Sequence, residues 1–354
     1  MMKARALDFW NAGIESPSET FARDQFSLLI AAWQGRAVAR LWRARDSGLS
    51  LGRFHRRDSR CDCDCGGLVR RLSGGRIVAQ GPGVACLTLA VPEVAWLDPG
   101  AQRLRPDQVL NRALRPVLAA LRARPHAGGD GGGAVDVFYP GRDLLMAGGR
   151  ALAHASFTVA RDGTLLVQVQ IADESGLDET ALLLDRFDPD GVAGADRNAF
   201  NGAVTFSALT GHALEAADWT SRLTAALASE LRCEVSVGEP QAGCDVTTAQ
   251  ENAFTALQRE LEQLPDGSVC VSAISMLGVV EASARLDGDR LHDVRLAGDL
   301  IAPFHTIDAL SAGLEGEPAR LPSLSRVLAG VLSRPGDFVL GIRDLEALLA
   351  RLAV

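Results

Sequence analysis

Apolar residues recur along this chain at two spacings, every third or fourth position in some stretches and every second in others, and the switches between them predict the elements. Between residues 18 and 33, Phe21, Phe26, Leu29 and Ile30 fall at helical intervals behind a cap, so an amphipathic helix is expected. Residues 38–42 and 49–54 read as short strands around the turn-like Arg45-Asp46-Ser47-Gly48, which predicts that a hairpin follows the helix. In LVRRLSGGRIVAQGPGVACLTLAVP (68–92) two apolar strands flank glycine-rich turns. Leu110, Leu114, Val117, Leu118 and Leu121 predict a helix over 106–123, and the glycine-rich stretch after it a surface loop. Residues 135–139, 150–159 and 164–171 read as strands and 216–231 as a helix.

A helix over 245–264 leads into a different pattern. VEASARLDGDRLHDVRLAGDL (280–300) alternates apolar and polar residues around Asp287-Gly288-Asp289, a strong hairpin signal, and helices are expected at 306–313, 321–332 and 343–352. No internal repeat is present. The organisation predicted is an α+β protein of two units, residues 1–245 and a smaller α+β unit over 246–354.

Composition narrows the function classes. With 354 residues, 47% hydrophobic and 23% charged, the chain can bury a substantial core. A formal net charge of −8 argues against a nucleic acid or an anionic membrane as partner. No run of 18 apolar residues occurs and MMKARALDFWNAG lacks a secretory pattern, so a cytoplasmic location is expected. Seven cysteines, an odd number spread over a long chain, read as thiols in a reducing compartment. Arginine supplies nearly all the basic charge: the only lysine is Lys3.

Chemistry is concentrated in Arg70-Arg71-Leu72-Ser73-Gly74-Gly75. Paired glycines let backbone approach a ligand, their N–H groups can cradle a phosphate, and adjacent arginines offer bidentate donors. The alternative is a hairpin with solvated arginines. The trio Cys61, Cys63 and Cys65, interleaved with aspartates near His55, is a candidate zinc or copper site or an ordinary surface connection. Cys86, in an apolar strand, reads as a core residue.

The RRLSGG stretch resembles the Arg-Arg-x-Ser/Thr-Gly-Gly turn of lipoate-protein ligases, in the biotin/lipoate ligase superfamily, where it lies beneath the acyl group. Trp42, Arg43, Gly52 and Arg53 match the family's Leu-Trp-Arg…Gly-Arg stretch, and Gly81-Pro82-Gly83 matches the turn before its next core strand. ALTGHAL (208–214) resembles the end of the catalytic domain, and 280–300 the hairpin and Gly-Asp of the accessory domain. The resemblance covers roughly residues 5–350. It implies a mixed sheet flanked by helices plus the accessory unit. It implies ATP and magnesium as cofactors, lipoate or octanoate as ligand, and lipoyl domains of 2-oxoacid dehydrogenase E2 or glycine cleavage H proteins as partners. Arg70, Arg71, Ser73, Gly74, Gly75, Trp42, Asp143 and Arg150 would then contact the acyl-adenylate.

One element is missing. The family's Gly-Arg-Lys-hydrophobic-x-Gly-Ser-Ala stretch supplies a lysine for the acyl carbonyl and phosphate, and here it reads Gly149-Arg150-Ala151-Leu152-Ala153-His154-Ala155-Ser156. Ala151 stands at the lysine position. Sliding the match to place Arg150 there loses the apolar matches at Leu152 and Phe157, and a planar guanidinium poorly replaces an ammonium. His154, where the family has glycine, reads as an acid or base, or as a strand histidine facing partial solvent. Asp143 matches the aspartate of the family's Asn-Asp stretch, with Arg142 in place of the asparagine, or is a turn residue. The cysteine route of the related acyltransferases lacks its nucleophile, since no cysteine lies between Cys86 and Cys233. Two readings stand: an ATP-dependent ligase for lipoyl-domain lysines, or an impaired pseudo-ligase that binds lipoate, an acyl-adenylate or a lipoyl domain.

Overall fold

A computed structural model of the chain describes residues 5–56, 67–98, 104–123, 135–188, 190–191, 195–239, 247–259, 264–341 and 345–353. The first elements are β1 (Ala6–Glu15), α1 (Pro17–Gln34), β2 (Ala37–Ala44), β3 (Gly48–Leu51), β4 (Leu68–Arg70), β5 (Val78–Gln80) and β6 (Val84–Val91). Then come α2 (Pro106–Ala113), α3 (Arg115–Arg122), β7 (Val137–Phe138), β8 (Leu144–Ala147), β9 (Arg150–Val159) and β10 (Leu165–Ala172). The fold continues through α4 (Glu179–Phe187), α5 (Phe206–Thr210), α6 (Ala216–Leu231), β11 (Glu234–Gly238) and α7 (Thr248–Arg259). It closes with β12 (Val269–Ile274), β13 (Val279–Asp287), β14 (Arg290–Gly298), α8 (Phe304–Leu314), α9 (Leu321–Leu332) and α10 (Leu345–Ala350).

An eight-stranded mixed sheet in the order β11-β1-β2-β6-β10-β9-β8-β7 forms the centre. Strand alternation divides its residues between two faces. One face is apolar: Ala39, Leu41, Leu87, Leu89, Ala155, Phe157, Val167 and Val169 meet α3 and α6 in the main core. On the opposite face the same strands carry Arg40, Trp42, Thr88, His154, Ser156, Gln168 and Gln170, all buried. Buried polar positions at period two are costly unless each finds a partner, so this face marks where the fold serves something besides stability. It is covered by α1 and by a second, three-stranded sheet in the order β4-β3-β5. Helix α1 is set by a capping box between Ser16 and Glu19, with Pro17 in its first turn, and ends at Gly35 in the left-handed region.

Three expectations change. The 38–42 and 49–54 strands do not form a hairpin, because both edges of β2 are already taken by β1 and β6, and β3 pairs instead with β4 and β5. Strands β4 and β5 flank β3 without pairing to each other, so RRLSGG is a connection across a strand and not a hairpin turn. The 106–123 helix breaks at Leu114, before Pro116, whose ring cannot continue the hydrogen-bond ladder. Strand β1, unread in the sequence, pairs in parallel with β2 and β11. The glycine-rich 124–134 stretch lies outside the described residues.

The hairpin at 287–289 forms as expected, within an antiparallel β12-β13-β14 sheet backed by α8, α9 and α10. Helix α7 packs back on α1, with Phe21 and Phe254 ring centroids 5.6 Å apart.

Candidate functional site

The 70–75 connection is tied down on every side. Arg70 is buried, donating to the carbonyls of Leu257 at 2.9 Å and His55 at 2.8 Å, while its backbone N–H donates to Gln258 Oε1 at 2.6 Å. Arg71 donates to the carbonyls of Ser50, Gly74 and Arg76 at 2.6–2.7 Å and to Ser73 Oγ at 3.2 Å. Burial pushes the Arg71 guanidinium down to about 9, against the opposing pull of Asp299 and Asp143. Neither arginine is solvated. Both use their planar forks to shape the connection, in the arrangement observed, and do not point donors at an open site.

Close backbone approach explains the glycines. A Cβ on Gly52 would collide with the Gly75 carbonyl oxygen, and one on Gly74 with the carbonyl oxygen of Leu300. Gly75 adopts φ +82° and donates its N–H to Leu300 O at 2.6 Å. The segment after β14 therefore occupies the place where the glycine pair was expected to approach a ligand. His55 joins this contact, with Nε2 3.2 Å from Gly75 O and 3.1 Å from Asp299 Oδ1.

Behind the connection a polar network crosses from α1 to β9. Arg40 bridges Glu15 and Asp24, and Gln168 Nε2 donates to Asp24 Oδ2 at 2.7 Å. Ser73 Oγ donates to Gln168 Oε1 at 2.5 Å and lies 2.7 Å from Ser156 Oγ. Trp42 Nε1 donates to Thr88 Oγ1 at 3.1 Å. Burial raises the Asp24 carboxyl to about 6, against the pull of Arg40. Of these residues Trp42 and Ser73 were expected from the sequence. The spacing of Gln168 and Gln170 in LLVQVQIA was the available signal for the rest, being polar at every second position of an apolar strand.

Ala151 reaches this face through a bulge. In the β8–β9 ladder Leu145 pairs with Ala153 and Met146 with Ala151, so Leu152 is an extra residue. Leu152 and Ala153 both enter the main core, and Ala151 is left on the other side of the sheet with His154 and Ser156. There it packs with Val78, Ala172, Leu177 and Phe200 in an apolar cluster. Arg150 is exposed at the β8–β9 turn, and Arg142 is exposed too.

His154 does not face solvent: it is fully buried. Its Nδ1 donates to Gln170 Oε1 at 2.9 Å, which leaves Nε2 of the neutral ring as an acceptor with no hydrogen-bond partner among the described residues. Burial and the nearby Arg71 hold its pKa well below the usual histidine range. Nε2 lies 3.8 Å from Asp143 Oδ2, which is bonded at 2.7 Å by Arg76 Nε. Burial lifts Asp143 to about 6, against the pull of Arg76, and its Oδ1 is likewise without a partner among the described residues. Asp143 is thus no simple turn aspartate; Arg76 joins it unannounced by any motif, and His55 and the Asp299 of the 280–300 Gly-Asp stand beside the same connection.

No group of three or more His, Cys, Asp or Glu side chains suited to a metal occurs among the described residues. The Gly75 N–H and the Arg71 donors are engaged, so this arrangement does not fit a nucleotide phosphate unless the Leu300 contact opens. The Cys61, Cys63 and Cys65 candidates lie outside the described residues. Cys86 is buried, and burial pushes its thiol up to about 12, as suits a core residue and not a nucleophile. No helix among the described residues is long and apolar enough to cross a membrane.

No family model matches the sequence, and no curated protein does. Solved structures do match. LipL1 of P. falciparum, solved in complex with lipoate, superposes with a TM-score of 0.69 at 12% identity, covering 98% of this chain and 99% of its own. A lipoate-protein ligase A bound with ATP (TM-score 0.48, 15% identity, 74% of this chain and 97% of that one) is a more distant likeness. So is the T. acidophilum bipartite lipoate protein ligase studied with its E2 lipoyl domain (0.49, 14%, 74% and 95%). The chain therefore has, over almost its entire length, the mixed α+β fold of a lipoate-protein ligase.

Proposed function

We propose that this protein holds lipoate or a related acyl acid beside the 70–75 connection but does not complete ligation at a ligase's rate. It is a binding protein on a ligase fold, whose partners are lipoyl-domain proteins of the E2 or glycine cleavage H type. The packing of Ala151 carries this reading. The bulge at Leu152 aims residue 151 at the site face, and what stands there is a methyl group among Val78, Leu177 and Phe200. Activating an acid with ATP builds negative charge at the acyl carbonyl and phosphate. A preorganised cation facing such charge contributes about 10²–10³ in rate, roughly 3–4 kcal/mol. Arg150 is exposed, Arg71 is spent on carbonyls, and the sequence has no lysine beyond Lys3 to take over.

A working lipoate or octanoate ligase is the second reading, and one observation favours it. His154 Nε2 and Asp143 Oδ1 are buried acceptors without partners among the described residues, an arrangement expected where a ligand or reacting group completes the hydrogen bonds. ATP–pyrophosphate exchange with lipoate or octanoate, with magnesium present, separates the two. The expected result is no exchange by the natural protein above background and measurable exchange by Ala151→Lys. Exchange by the natural protein would establish the ligase reading instead. Thermal stabilisation by lipoate or octanoate checks binding on the unmodified protein, where mass action raises the unfolding midpoint.

A further inference from the structure

Between α1, the 70–75 connection and the large sheet lies a cavity of about 30 Å³, room for about one water, so an eight-carbon chain cannot enter it as it stands. Phe21, Trp42, Ala44, Val69 and Leu72 give it an apolar lining that would suit such a chain if it widened. The sheet beneath cannot yield, because β2 and β10 are paired on both edges. Room therefore comes from parting α1, which brings Phe21, from the stretch Val69 to Leu72. Deeper in, Asp24 and Ser73 are each bonded to Gln168 of the sheet, so this seam opens at the end where Phe21 and Arg70 stand.

Helix α7 bridges that end. Phe254 meets Phe21 with ring centroids 5.6 Å apart, and Arg70 Nη1 donates to Leu257 O at 2.9 Å. One edge of β4 is paired with β3, and at Arg70 the Gln258 carboxamide replaces a strand on the other. Its Oε1 accepts the Arg70 backbone N–H at 2.6 Å and its Nε2 donates to the Arg70 backbone carbonyl at 2.9 Å. Phe254, Leu257 and Gln258 fall three and four positions apart, on one face of the helix. Of the described side chains of α7 only Leu257 and Gln258 are buried. A single short stripe thus holds the helix, and none of its described residues lines the cavity.

Resting on the acyl-acid reading given above, we propose that α7 is a strap over the acyl site: while it grips Phe21 and Arg70 the cavity is shut, and its release lets α1 and the connection part to admit the chain. An element with few buried contacts opens more readily than the strands of a core, which suits it to this duty. The strap touches no ligand. It sets how fast an acid enters and leaves, and Gln258, through the backbone of Arg70, is the residue that fastens it.

Stopped-flow mixing of octanoate with the full chain tests this on the natural protein, Phe254→Ala and Gln258→Leu, read by tryptophan fluorescence because Trp42 lines the cavity, with calorimetry as the equilibrium check. Each substitution is expected to raise both the association and the dissociation rate constant at least tenfold. Rate constants within twofold of the natural protein's in both folded variants overturn the proposal while sparing the acyl-acid reading, since octanoate then binds. Loss of octanoate binding in a folded variant overturns it too, because α7 would then be part of the site. Native hydrogen exchange needs no variant: α7 amides that exchange as slowly as those of β6 overturn the strap. Binding by the variants but not by the natural protein supports the proposal and the acyl-acid reading, and binding by none of the three proteins overturns both.

Discussion

Replacing Arg40 by methionine removes the cation at the centre of the polar network while keeping most of its volume. Arg40 is fully buried between Glu15 and Asp24, and its Nη2 also donates to Thr20 O at 3.3 Å. After the change Glu15 keeps Arg23 and Thr20, at 2.7 and 2.9 Å, whereas Asp24 keeps the neutral Gln168 and Thr88 but no cation bonded to it among the described residues. Breaking a buried pair by removing one partner costs about 3–5 kcal/mol, because the other charge stays desolvated. Asp24 already sits at about 6 with Arg40 in place, burial being the larger influence. An acid whose folded pKa lies above its unfolded value favours the folded state below the unfolded value, near 3.8, and that stability is lost as pH rises through the folded value. The rise to about 6 corresponds to roughly 3 kcal/mol at about 1.4 kcal/mol per pH unit, and loss of Arg40 extends the window upward. Urea unfolding of Arg40→Met should therefore show most of the 3–5 kcal/mol deficit at pH 8 and less than half of it at pH 5. Adding Asp24→Asn should restore most of the loss at pH 8. A deficit below about 1 kcal/mol at pH 8, or equal deficits at both pH values, would refute the assignment of Asp24 as the stranded charge.

Two further outcomes follow from the same geometry. Gly74→Ala places a methyl group against the Leu300 carbonyl, so the connection and the segment after β14 must part, at a cost of about 1–3 kcal/mol. Amide exchange at Gly75 should quicken in that variant, whereas Gly238→Ala, with open space around it, should change neither stability nor exchange. Thiol labelling of the native protein should modify exposed Cys270 and spare buried Cys86, with peptide mapping as the readout; rapid native labelling of Cys86 would show that its strand opens.

Periodicity located most elements because helix and strand spacing are local properties. The helix over 18–33, the 150–159 strand, the 216–231 helix and the hairpin at 287–289 all stand where apolar spacing and turn chemistry put them. It failed where a strand's partners lie far along the chain. Neighbouring strands β2 and β3 looked like a hairpin, yet partners farther along the chain decided the pairing, β6 for β2 and β4 and β5 for β3. Strand β1 owes its place to β11, over 200 residues later.

The sequence by itself named part of the candidate site: RRLSGG, Trp42, Asp143, His154 and an alanine where the resembled family has lysine, in a chain with no lysine beyond Lys3. Which way each of these acts was decided only in three dimensions. Alternation predicts that Gln168 and Gln170 share a face, but only the covering by α1 and the small sheet makes that face buried, and burial is what raises Asp24 and lowers His154. One extra residue at Leu152 turns Ala151 toward the site, and the carbonyls around Arg71 turn it from a ligand donor into a strut. Spacing records neighbours along the chain, whereas desolvation and hydrogen-bond satisfaction depend on everything that packs around a group, and those partners are drawn from four distant stretches of this sequence: α1, the 70–75 connection, the β9–β10 pair and the segment after β14.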